Sequence, residues 1–188
     1  MRNTRINKYI AIAGCILLVA GVLYFFAGEV LGNPIRIRFS LWLHKQEYNE
    51  MAQKFLTQDH IRNIASNANS HIINNCGNHP DSHSNGEWSC TKGDYPNQTI
   101  VKLKDKTEVL NYLDVPEEQY SYYSDFLHKH HLDGLGKDEK ERYVELEDGL
   151  EGLRYYEKVD ATTFEPDNEY LSVKKVDDHW FTYTRDWN

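Results

Sequence analysis

Residues Tyr9 to Gly28 form an apolar run of 20 residues without a charged side chain. At about 1.5 Å of rise per helical residue, such a run matches the roughly 30 Å hydrocarbon core of a bilayer. The sequence therefore predicts a transmembrane signal-anchor and, after it, a domain held at a membrane surface. Arg2, Arg5 and Lys8 precede the run and Glu29 closes it, a distribution that favours a cytoplasmic N-terminus; Arg36 and Arg38 beyond the far end pull the other way. A cleaved signal peptide would share the basic start. It would want a small side chain two residues before the cut near Ala27 and Gly28, where Phe25 and Phe26 stand. The expected organisation is a cytoplasmic N-terminus over 1–8, the anchor over 9–28, a juxtamembrane linker over 29–39 and an extracytoplasmic domain over 40–188. The expected location is the cell membrane, single-pass, with the main domain periplasmic or extracellular.

The remainder has the length of one ordinary domain. The chain holds 21 Lys and Arg against 29 Asp and Glu; five of those cations and one acid precede residue 39, which leaves the rest at a formal charge of −12. Phosphate backbones repel such a domain, so nucleic acid is excluded as a partner, whereas a basic protein surface would be attracted. The 13 Tyr and 4 Trp favour a packed core over a disordered stalk.

Beyond Cys15 the chain has two cysteines, Cys76 and Cys90, in a stretch rich in Gly, Asn, Ser and Pro. On the far side of a membrane they are expected to form one disulfide. Ser40 is read as the cap of an amphipathic helix in which Leu41, His44, Tyr48, Met51, Ala52, Phe55 and Leu56 recur at helical spacing. A short helix is expected over Asp59–Ala68, a long loop over Asn74–Asn97, a strand over Thr99–Leu103 and a short helix over Thr107–Leu113. Pro116-Glu117-Glu118 opens a further helix, with proline at an early position and acids in the first turn. Tyr143–Leu146 and Leu153–Tyr156 read as strands about an Asp148-Gly149 turn. Tyr170–Val176 and Trp180–Arg185 read as a hairpin. The fold class expected is α+β: an N-terminal transmembrane helix followed by one small domain with a mainly antiparallel sheet and packed helices.

No motif for nucleophilic catalysis or phosphate binding is present. Nine histidines raise the question of metal, and His79 and His83, beside the cysteines, have the best spacing for a ligand pair. A disulfide would withdraw both sulfurs from such a site, so no metal or other cofactor is expected. His128, His130 and His131 fall at a helix end, where cations complement the dipole. Trp180, Phe181, Tyr183 and Trp187 are the candidate partner contacts. The function expected is that of an exported acidic domain binding another protein, in an envelope-associated or toxin-neutralising role. The alternative is a metal-dependent or hydrolytic enzyme built on the loop histidines.

Overall fold

The computed structural model describes residues 14–21, 34–67, 70–78, 87–93, 96–140, 142–159 and 170–185. Helices α1 (Pro34–Leu43), α2 (Lys45–Thr57), α3 (Lys106–Tyr112) and α4 (Glu117–His130) accompany a ten-stranded sheet. Its strands are β1 (Asn63–Asn67), β2 (Ser70–Ile73), β3 (Cys76–Asn78), β4 (Trp88–Lys92), β5 (Thr99–Leu103), β6 (Gly134–Asp138), β7 (Tyr143–Asp148), β8 (Glu151–Tyr156), β9 (Tyr170–Lys175) and β10 (Trp180–Arg185). The order across the sheet is β5-β4-β3-β2-β1-β6-β7-β8-β10-β9, with antiparallel pairing throughout.

This architecture corrects the expected fold class. The chain builds one large antiparallel sheet with helices, and among the described residues no helix is long and apolar enough to cross a membrane. Of the apolar run, residues 14–21 are described, as helix.

Two further expectations change. The short helix expected over Asp59–Ala68 is instead the approach to β1 and β1 itself. Asn74 drives that outcome. Its Oδ1 accepts from the Arg62 and Asn63 backbone N–H groups and its Nδ2 donates to the His60 carbonyl, which ties the β2–β3 turn back onto the start of β1. The long loop expected over Asn74–Asn97 contains β3 and β4, which pair with Cys76 directly opposite Cys90. The two are disulfide-bonded and both are buried. In a chain-entropy model a loop of this size contributes about 3 kcal/mol.

Helices pack on the sheet face that carries Ile64, Leu135, Val144, Leu146, Leu153, Tyr155 and Trp180, and together they form the core. α2 presents Tyr48, Met51, Ala52 and Phe55 at helical spacing to that face. Tyr48 stands edge-on to Phe126, His130 and Trp180, and the Trp180 indole donates to Asn49 Oδ1 at 2.7 Å. α4 begins as expected after Pro116 and ends at His131, whose φ of 53° turns the chain out of the helix.

Candidate functional site

Strand alternation puts Glu145, Arg154, Tyr156, Phe181, Tyr183 and Arg185 on the sheet face opposite the helices. Arg154 donates from Nε and Nη2 to Glu145 Oε2, at 3.1 and 2.6 Å, and from Nη1 to the Tyr156 hydroxyl at 3.2 Å. Arg185 pairs with the other Glu145 oxygen and reaches Glu147 Oε1 at 3.0 Å. Glu145 is 5 % exposed and Arg154 9 %, so a buried carboxylate lies between two guanidinium groups. Burial alone would lower the Arg154 pKa, but Glu145 and Tyr156 beside it outweigh that and hold it raised. Both Glu145 oxygens are occupied and the arginines keep their protons. The network ties β7, β8 and β10 together at one register. The sequence did carry a signal for it: a two-residue turn at Gly149 and Leu150 sets Asp148 opposite Glu151, and hence Glu145 opposite Arg154.

A second polar cluster joins α1, α2 and α4. Ser40 Oγ, inside α1 and not at its cap, lies 3.0 Å from the Tyr48 hydroxyl and 3.2 Å from His130 Nδ1. His130 Nε2 is 3.4 Å from Glu47 Oε1 but out of line for a hydrogen bond. Lys129 Nζ donates to both Glu47 oxygens, at 2.7 and 2.8 Å, and the His44 ring stands edge-on to His130. Serine, histidine and carboxylate in one array invite comparison with a nucleophilic triad. Here the His130 side chain is 2 % exposed and Ser40 is shared with Tyr48, so the groups are engaged in joining three helices.

Burial pushes the His130 pKa below its ordinary 6.5, against the pull of Glu47. Burial would raise Glu47, but its hydrogen bonds from Lys129 and the neighbouring His130 ring prevail and hold it below 4.5. Below pH 6.5 the unfolded chain binds a proton that folded His130 refuses, so stability present above that pH is lost as pH falls toward the depressed value; Glu47 continues the loss in more acidic solution. A His130→Gln variant is expected to flatten the upper part of this decline in a series of Tm measurements from about pH 8 to about pH 5. Parallel wild-type and variant curves would contradict it.

Of the candidate partner contacts, Trp180, Phe181 and Tyr183 are buried, at 0, 6 and 2 % exposure. Both faces of β10 are thus covered at these rings. Trp187, His79 and His83 lie outside the described residues. Among the described residues no group of three His, Cys, Asp or Glu side chains is placed to hold a metal. A groove of about 790 Å³ is lined by Arg62, Asn63, Asn74, Asn75, Thr91, Gly93 and Gln98. Its Asn74 and Asn75 amides are committed to the local backbone.

The unneutralised charge lies elsewhere. Glu47, Glu145, Glu147, Asp148, Glu157 and Asp177 are each paired with a Lys or Arg. From residue 105 to 125, spanning α3 and the first turns of α4, Asp105, Glu108, Asp114, Glu117, Glu118 and Asp125 are all exposed, and Lys106 is the only cation in that stretch. Asp105 caps α3 by accepting from the Glu108 N–H, and Glu108 accepts from the Lys104 N–H. Among the described residues none of the six carboxylates has an ion-pair partner. Tyr112 and Tyr122, 39 and 36 % exposed, belong to the same two helices. Comparison with protein families, with characterised proteins and with solved structures finds no match to this chain.

Proposed function

We propose that the chain is an extracytoplasmic, disulfide-bonded domain that binds another protein, with the acidic α3–α4 segment as its contact surface. The observation that carries the binding reading is the contrast in how acids are used. On the sheet Glu145, Glu147 and Asp148 are spent in ion pairs, whereas six acids between residues 105 and 125 face solvent with Lys106 the one cation in that stretch. Such a field steers a basic partner into encounter and weakens with salt. Exposed tyrosines beside the charges supply rigid amphipathic contact area of the kind protein interfaces favour. The Cys76–Cys90 bond supports placement in an oxidising compartment. An envelope-associated or toxin-neutralising role is consistent with this surface.

The test is recovery of a partner from an envelope extract by the immobilised protein, compared with a Glu117→Lys, Glu118→Lys, Asp125→Lys variant. All three positions are exposed, so the change leaves the core packing untouched and costs the first turn of α4 about 1–2 kcal/mol through the helix dipole. The expected result is a protein retained by the wild type, released by salt and absent with the variant. An identical retained set for both would overturn the assignment of the surface.

A further inference from the structure

α1 is apolar on opposite sides. Ile37 and Leu41 face the sheet and are each 2 % exposed. Ile35, Phe39, Trp42 and Leu43 recur at i, i+4, i+7 and i+8 and turn outward, at 69, 44, 72 and 53 % exposure. The Phe39 and Trp42 rings stack with centroids 5.8 Å apart. Arg36 and Arg38 flank this stripe on either side, and the helix contains no acid. Arg36 is held by Asp148 and by the His131 carbonyl. Arg38 donates to Thr182 Oγ1 at 2.8 Å and, among the described residues, has no carboxylate partner.

We propose that the outward stripe of α1 rests in the headgroup region of an anionic lipid surface. Three observations favour lipid over a protein groove. The stripe is an exposed row of aliphatic and aromatic side chains around a tryptophan, the residue whose apolar ring and polar N–H suit the boundary between acyl chains and headgroups. The helix itself contains two arginines and no acid, and Arg38 has no carboxylate partner among the described residues, in a domain whose formal charge is otherwise −12, so this helix opposes phosphate less than the rest of the chain does. Its helix also begins six residues after the end of the uncharged run Tyr9–Gly28, and continues the most apolar part of the chain onto the folded domain. Lipid contact through α1 is independent of protein binding through α3 and α4, and either can hold without the other.

The full chain, reconstituted into vesicles of phosphatidylcholine with phosphatidylglycerol, tests this by tryptophan fluorescence. Bromine placed on the acyl chains close to the headgroups quenches only indoles that reach that depth. The expected result is quenching of the wild type that is largely lost in Trp42→Phe and retained in Trp88→Phe, since Trp88 is 5 % exposed. Quenching of the Trp42 component should weaken when phosphatidylglycerol is omitted. Equal quenching of the wild type and Trp42→Phe would overturn the proposal. So would a Trp42 signal that ignores brominated lipid and changes only when a second protein is added, which would make the stripe a protein interface.

Discussion

Replacing Gly152 by alanine is expected to destabilise the domain severely. Gly152 lies opposite Tyr183 in the β8–β10 register. A Cβ there would stand 2.1 Å from the Tyr183 hydroxyl oxygen, 2.2 Å from its ring carbon and 2.5 Å from the Leu146 carbonyl oxygen. The last is backbone of the neighbouring strand and cannot rotate away. Tyr183 is itself buried, with its hydroxyl 3.5 Å from that same carbonyl, so relief requires expelling the ring or parting β7 from β8. Overpacking of this kind costs about 3 kcal/mol, the upper part of the usual range. For a domain of this size that lowers Tm by roughly 10 °C. Gly136→Ala is the matched control. It sits on the same sheet face, opposite Glu145, and a Cβ there meets nothing within 4 Å; its effect should stay within about 0.5 kcal/mol. Thermal unfolding of the two variants side by side measures the difference, and equal Tm values would show that β8 does not pack against Tyr183 in this way.

The second large effect belongs to Glu145. Glu145→Ala leaves Arg154 buried without its carboxylate, beside the Tyr156 hydroxyl and over the Tyr143 ring, whose centroid is 4.2 Å away. Removing one partner of a buried ion pair costs about 3–5 kcal/mol, because the remaining charge stays desolvated. Arg185 loses less: it is 36 % exposed and keeps Glu147 at 3.0 Å. Replacing both members, Glu145→Leu with Arg154→Met, removes the buried charges together and is expected to recover most of the loss. Denaturant titration of the single and double variants checks this. A double variant as unstable as the single one would mean that these side chains act by shape and not by charge.

How much of this was legible depends on whether the sequence holds the partner close by. The terminal hairpin was, because aromatic alternation meets at Asp177-Asp178-His179; so was α4, whose Pro116-Glu117-Glu118 opening follows from backbone sterics and the helix dipole. The strand order was not. β1 has the sequence Asn63-Ile64-Ala65-Ser66-Asn67, with weak strand propensity, and is made a strand by its ladder to β6, some 70 residues on. β3 and β4 are short pieces within a polar stretch, held by the cross-strand disulfide. The hairpin aromatics were legible as a group, but their burial depends on the strands and helices around them. α1 begins at Pro34, inside the stretch read as a linker, because two arginines in an apolar decapeptide look like a flank until Asp148 and Thr182 arrive to receive them.

The proposed placement of the domain in an oxidising extracytoplasmic compartment is tested by the redox state of Cys76 and Cys90 in the cell. Cells are quenched in acid to freeze thiol exchange, and the protein is then alkylated in denaturant with and without prior reduction. Cys15 alone is expected to be alkylated before reduction, and all three cysteines after it. Alkylation of Cys76 and Cys90 without reductant would place the domain in a reducing compartment and contradict the claim.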